Sequence, residues 1–184
     1  MHPDYPITTD RLLLRPFVSA DAVAMHTYKS REDVCQFLPH DVLSLEQVIE
    51  RIATVYARTA FDDDGQSLTL AVRERSSRAL IGDVILFWHS REHRDGEIGY
   101  VLHPGHRGQG YATEATQAML RLGFDELGLH RIVARLDARN TASVRVVERL
   151  GMRREAHFVS NEYLKGEWTD ELVYALLEDE WRAH

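Results

Sequence analysis

The chain has 184 residues, 44% hydrophobic and 28% charged, with a formal net charge of −7, which is the composition of an ordinary globular chain able to bury a real core. Its acidity is a poor match for nucleic acid, whose phosphates need clustered cations, and favours a cationic partner such as an amine. The single cysteine, Cys35, excludes an intrachain disulfide and a thiolate metal site, and no apolar run reaches the roughly 18–20 residues of a membrane span.

Arg11–Phe17 reads as a first strand that Pro16 terminates, and Ser19 is placed to cap a helix running to about Ser30. Ser44-Leu-Glu-Gln47 is a capping-box pattern; Val48, Ile49, Ile52, Val55 and Tyr56 then give an apolar face to a helix over 44–60. Asp62-Asp-Asp-Gly65 is a solvated turn. The period then changes. Leu68, Leu70 and Val72 alternate with polar or small residues, and Leu80–His89 and Gly96–Leu102 follow across short polar turns, as in an antiparallel meander. A long helix is expected over about 109–127, a short strand at Ile132–Leu136, and an amphipathic helix over Asn140–Leu150 that Gly151 ends. Met152–Ser160 and Leu172–Leu177 are the last two strands, around a Lys165-Gly166 turn.

This order predicts an α+β fold: a single mixed, mostly antiparallel sheet of about seven strands with about four helices. A strand–helix–strand crossover lies in its middle. With no linker or repeat visible, residues 1–184 are expected to form a single domain.

Gly105-His-Arg107-Gly108-Gln109-Gly110-Tyr111-Ala112 lies between a strand and the long helix. Small residues let backbone N–H groups approach a ligand, the helix start adds its positive dipole end, and Arg107 offers a charge-assisted contact. Together they describe a diphosphate cradle; the plain alternative is a glycine-rich turn without a ligand. The Gly-Lys-Ser/Thr of a nucleotide-binding P-loop is absent, and the hairpins preceding the segment do not suit a dinucleotide fingerprint.

Arg107-Gly-Gln-Gly110-Tyr-Ala112 resembles the Gln/Arg-x-x-Gly-x-Gly/Ala signature of the GNAT superfamily of N-acetyltransferases. Asn140-Thr-Ala-Ser143 through Gly151-Met152 is similar to that family's second cofactor segment. Arg11–Pro16, Glu97-Ile-Gly-Tyr100, Leu129-His-Arg131 and Asp170–Trp181 extend the resemblance over most of the chain. It is strongest to the RimJ/RimL-type branch of ribosomal-protein N-terminal acetyltransferases, which also holds many small-amine acetyltransferases.

The resemblance implies the acyl-CoA N-acyltransferase fold and acetyl transfer from acetyl-CoA to a primary amine within a ternary complex, without a covalent intermediate or a metal. The acceptor would be a protein N-terminus or a small amine such as a polyamine, an aminoglycoside or an amino-acid-derived amine. It places the cofactor on Tyr100, Val101, Leu102, Arg107, Gly108, Gln109, Gly110, Tyr111, Ala112, Asn140 and Ser143. The pantetheine arm would lie along Tyr100–Leu102, splayed from Ile132–Leu136, with an N–H near Val101 polarising the thioester carbonyl. An α-amine of pKa ~8 arrives mainly protonated at neutral pH, so a base is useful.

Two glutamates compete for that role, with water alone as the third possibility. Glu97 matches the base of histone-type relatives, and Glu162 matches an acidic residue that ribosomal-serine relatives pair with a serine, here Ser143. Otherwise Glu97 only anchors substrate or the sheet, and Glu162 only caps a hairpin. The family's usual thiolate acid, a tyrosine seven residues after the cofactor asparagine, is replaced by Val147, which leaves Ser143 as the substitute acid or as a small residue that lets the cofactor approach. Val147 also keeps open a non-catalytic acyl-CoA sensor.

His89, His93, His103 and His106 flank a strand on loops and read as structural or surface residues rather than metal ligands. Cys35 reads as a small buried hydrophobe, Tyr174 as a packing residue, and Trp88, Trp168 and Trp181 as core or rim aromatics. The opening Met1–Pro6 has neither the basic nor the apolar region of a secretion signal, so the cytoplasm is the expected location. Dimers are common in the branch, so a homodimer belongs among the expectations.

Overall fold

Leu12 and Leu14 alternate with half-buried residues to make a strand with one apolar face. The same alternation, carried along the chain, builds one eight-stranded sheet in the computed structural model, which describes residues 1–183. The strands are β1 (Ile7–Thr8), β2 (Leu12–Pro16), β3 (Gln66–Glu74), β4 (Leu80–Ser90), β5 (Asp95–Leu102), β6 (Arg131–Asp137), β7 (Arg153–Leu164) and β8 (Glu167–Leu177). Their spatial order is β1-β2-β3-β4-β5-β6-β8-β7. Every neighbouring pair is antiparallel except β5–β6, the expected crossover.

The helices are α1 (Ala22–Lys29), α2 (Glu32–Cys35), α3 (Leu45–Ala53), α4 (Tyr111–Arg121), α5 (Thr141–Arg149) and α6 (Glu178–Arg182). They divide between the two faces of the sheet. Leu70, Val84, Leu86, Ile98, Ile132, Ala134 and Leu172 pack with Tyr111, Ala115, Met119 and Val147 of α4 and α5. On the opposite face Ala71 packs with Met25 and Tyr28 of α1 and Val48 and Ile52 of α3, with Val101 against them.

The fold class holds, with differences in detail. The eighth strand, β1, is two residues long, too short for any alternation to register. Ser19 does not cap α1: a 3₁₀ turn, Ser19–Asp21, precedes that helix, and the Asp21 carboxylate accepts from the Val18 N–H at 2.9 Å while also binding Arg15. The Ser44 capping box forms as expected, with Ser44 Oγ accepting from the Gln47 N–H and Gln47 Oε1 from the Ser44 N–H. The helix it starts stops at Ala53, because the chain turns and the Tyr56 N–H donates to the Arg51 carbonyl. That turn buries Tyr56 while Val55 stays exposed. After α4, a π-helical turn over Leu122–Glu126 closes on a Leu127 N–H to Leu122 carbonyl bond. β7 and β8 run longer than expected because the hairpin around Lys165-Gly166 is paired almost to its tip, Leu164 opposite Glu167.

One buried ion pair fixes α1 to the middle of the sheet. Lys29 is 2% exposed, and its Nζ lies 3.1 Å from the carboxylate of Asp83 on β4, which also accepts from the Tyr28 hydroxyl at 2.8 Å. Such a pair, once formed, is costly to break from one side, since the orphaned charge stays buried. Lys29→Met is expected to lower unfolding stability by about 3 kcal/mol or more, measured by urea denaturation; a loss indistinguishable from zero would show that Asp83 tolerates burial without its ammonium.

Candidate active site

β5 and β6 pair in parallel only from Asp95↔Arg131 to Glu97↔Val133. Beyond that point Tyr100–Leu102 and Ala134–Leu136 have no ladder between them, although β5 stays paired with β4 to Leu102 and β6 with β8 to Asp137. The splay expected between these strands is present, opening a slot in the sheet with backbone groups along its sides.

At the wide end of the slot, β5 runs into the glycine loop. Gly108 and Gly110 adopt left-handed φ of +77° and +81°, a region that disfavours side chains, and Gly110 is the N-cap of α4. Nothing lies within 4 Å of where a Cβ on Gly108 would sit. The first-turn N–H groups of α4 have no intrahelical acceptor. An open, anion-seeking concavity of this shape fits the diphosphate of acetyl-CoA.

Arg107 and Gln109 are exposed at its rim, whereas Tyr111 points away from it. That ring is buried and its hydroxyl donates to Glu74 at 2.6 Å, so only the Tyr111 backbone remains on the ligand side. Ala112 is half-buried in the first turn of α4.

The second cofactor segment is equally local in origin. Asn140 caps α5, its Oδ1 accepting from the Ser143 N–H at 3.1 Å and its side-chain NH₂ left as a donor. Tyr100 spans from β5 to this helix and donates from its hydroxyl to the Ser143 carbonyl at 3.2 Å. Burial pushes the Tyr100 phenol up to about 12, so it remains a neutral donor across the working pH range. Val147 is fully buried in the main core and serves packing.

The two rival glutamates belong to one cluster. Ile98 faces α4, so by strand alternation Glu97 and Val101 face the α1/α3 side. The registers carry Arg135, Glu171 and Glu162 to that same face. Glu97 lies 3.4 Å from His89 Nε2 and 3.5 Å from Arg135 Nε. Arg135 also reaches Glu171 at 3.3 Å, and Glu171 accepts from Asn161 at 2.7 Å.

Among the described residues, Glu162 has no such ion-pair partner within contact distance. Partial burial raises its pKa above the ordinary carboxylate value, and the neighbouring Glu171 carboxylate adds to the rise. The expected pairing of Glu162 with Ser143 does not form: only the backbone of Ser143 is engaged, by Asn140 and Tyr100, and Glu162 sits among Glu171, Arg135 and Glu97. The sheet separates them, since α5 packs on the opposite face.

The chain as a whole has matches among known proteins. Residues 11–153 match the acetyltransferase (GNAT) domain. The chain belongs to the GNAT family and is an N-acetyltransferase. Among GNAT relatives, it is 37% identical over 175 residues to an uncharacterized N-acetyltransferase, YnaD of Bacillus subtilis, covering 95% of this chain and 98% of that one. The crystal structure of a GNAT-family acetyltransferase from Bacillus anthracis superposes with a TM-score of 0.85 at 36% identity, covering 95% of this chain and 99% of that one. A spermidine N-acetyltransferase from Vibrio cholerae, crystallised with CoA and spermine, shares the fold at 21% identity with a TM-score of 0.79, over 95% and 99% of the two chains.

Within this GNAT site, sequence patterns missed the braces. Arg11, just before β2, donates to the Gln109 carbonyl at 2.8 Å and to Glu114 on α4 at 2.7 Å, and its guanidinium lies 4.6 Å from the Tyr111 ring centroid. Glu114 also accepts from Thr9. No spacing rule links residues about a hundred positions apart. Lys165 at the hairpin tip donates to the Cys35 carbonyl at 2.6 Å, tying β7–β8 to α2. Cys35 itself is buried with Sγ on the Lys29 carbonyl, Tyr174 is buried with its hydroxyl on Glu148, and Trp168 is exposed against Tyr163.

Gly110→Val combines a disfavoured φ with a Cβ only 3.3 Å from Arg11 Nη2. It should abolish acetyl-CoA binding in a calorimetric titration while the protein stays folded; unchanged affinity would remove the loop from the cofactor site.

Proposed function

We propose that this N-acetyltransferase, one domain over residues 1–184 acting in the cytoplasm, moves an acetyl group from acetyl-CoA to a primary amine carried by a cationic acceptor. The acceptor is a basic N-terminal peptide, as in the RimJ/RimL-type branch, or a polyamine. The observation that carries this reading is the placement of Glu97, Glu162 and Glu171 on one face of a slotted sheet, with Arg135 the central cation among them. A net negative pocket attracts ammonium groups and discourages anionic acceptors.

Acetyl-CoA supplies an activated thioester. The glycine loop, Arg107 and the Asn140 amide hold its polar parts, and the backbone of Tyr100–Leu102 orients the acyl arm, the N–H near Val101 being the donor to the carbonyl oxygen. The acceptor amine reaches the slot from the α1/α3 face. Glu162, whose pKa is raised above the ordinary carboxylate value, takes the ammonium proton directly or through water, and direct attack follows. Glu97, clamped by His89 and Arg135, holds the acceptor's charge. Ser143 and the Tyr100 hydroxyl lie on the far side of the sheet, where a leaving thiolate needs a donor.

Glu162→Gln is expected to lower kcat/KM by about a hundredfold. Because the carboxyl must be deprotonated to act as base, wild-type activity falls as pH drops through its raised pKa, and that acid limb should vanish in the variant. A limb that persists would transfer the role to Glu97 or water. Ser143→Ala should reduce turnover more than acetyl-CoA affinity; equal turnover removes it from the chemistry.

Thiol release from acetyl-CoA across basic N-terminal peptides, polyamines and aminoglycosides tests the whole reading. Release with a cationic amine supports it, and release only with neutral or anionic amines overturns the acceptor class. Tight acetyl-CoA binding with no release would instead favour an acyl-CoA sensor.

A further inference from the structure

Where α2 faces the glycine loop, two arginines converge on one carboxylate. Asp33 Oδ1 accepts from Arg31 Nε at 2.8 Å, and Arg107 Nη1 lies 3.6 Å from Oδ2. All three side chains are about half exposed. His103, on the same loop, has its pKa pushed down first by burial and then by His106, Arg31 and Arg107, with Asp33 opposing them.

The arrangement does little for stability, because exposed ion pairs contribute little to folding. It is also incomplete. One carboxylate serves two guanidiniums, and the contact to Arg107 is longer than a hydrogen bond. The phosphates of CoA offer more charge in total than one carboxylate, with two non-bridging oxygens on each phosphate of the diphosphate and three on the 3′-phosphate, in a geometry that a guanidinium fork matches. The place where Arg107 turns toward Asp33 is the rim of the concavity formed by Gly108 and the first turn of α4.

We propose that Arg31 is a second phosphate-binding arginine of the acetyl-CoA site, and that Asp33 holds Arg31 and Arg107 in the free protein as a stand-in that a phosphate of acetyl-CoA displaces. The proposal rests on the reading of Arg107–Ala112 as the phosphate cradle, and it brings to the cofactor site a residue from the turn between α1 and α2. Displacing Asp33 also frees α2 on its cofactor side, while its other side stays tied to the acceptor hairpin through Lys165.

Calorimetric titration of CoA into the intact wild-type protein, Arg31→Ala and Asp33→Asn tests it, with thermal melts to confirm folding. Arg31→Ala should weaken CoA about tenfold, the loss expected of one charge-assisted contact. Asp33→Asn should tighten it several-fold by removing the competitor. If CoA binds the wild type and Arg31→Ala retains full affinity, or if Asp33→Asn binds no more tightly, the proposal fails while the cradle stands. If the wild type binds no CoA, the cradle fails with it.

Repeating the Arg31→Ala comparison with dephospho-CoA identifies the phosphate. A loss that survives removal of the 3′-phosphate assigns Arg31 to the diphosphate; one that disappears assigns it to the 3′-phosphate.

Discussion

Two parallel strands that stop pairing partway along their length set the terms for everything else in this protein. Backbone N–H and C=O groups must find partners when they leave water, so a gap inside a sheet persists only if each strand is held from its other side. β5 is held by β4 along its length, and β6 by β8 across all of Arg131–Asp137. The inner edges of the slot therefore keep hydrogen-bonding capacity that an amide-bearing chain such as pantetheine can use. Loss of either outer ladder would let the slot close or the sheet fray.

The slot joins two faces that differ in chemistry. One carries the helix starts, the glycine loop and the neutral donors Tyr100 and Ser143 around a large apolar core. The other carries the carboxylates and Arg135, with α1, α2 and α3 around them. The sheet keeps the carboxylates apart from the Tyr100 and Ser143 hydroxyls. Three long-range polar contacts hold these parts together: Arg11 to Gln109 and Glu114, Lys29 to Asp83, and Lys165 to the Cys35 carbonyl. Both lysines of the chain are thus structural, while the arginines share the surface ion pairs and the loop.

Legibility in the sequence tracked the range of the interaction. Leu68, Leu70 and Val72 announced β3, the Ser44–Gln47 box announced α3, and Asn140 at the head of an apolar helical stripe announced α5, because each signal lies within a few residues. The glycine loop was legible for the same reason. The start of α1 was misplaced because a 3₁₀ turn over Ser19–Asp21, held by the Asp21 carboxylate on the Val18 N–H and on Arg15, comes before the helix. The end of α3 was misplaced because a turn buries Tyr56 without continuing the helix.

By itself, then, the sequence determined the order of elements, the crossover and the glycine loop, all of them matters of local periodicity, capping and motif spacing, while the candidate acid and base residues came from the resemblance to a known family. Only the tertiary structure decided how those residues meet. Strand register put Glu97, Glu162 and Glu171 on one face and Ser143 on the other, so an expected Glu162–Ser143 pair became a pair of separated sites. Register and packing also set the environments that clamp Glu97 and raise Glu162. A carboxylate's basicity depends on its burial and its neighbouring charges, and those neighbours come from strands far apart in the chain.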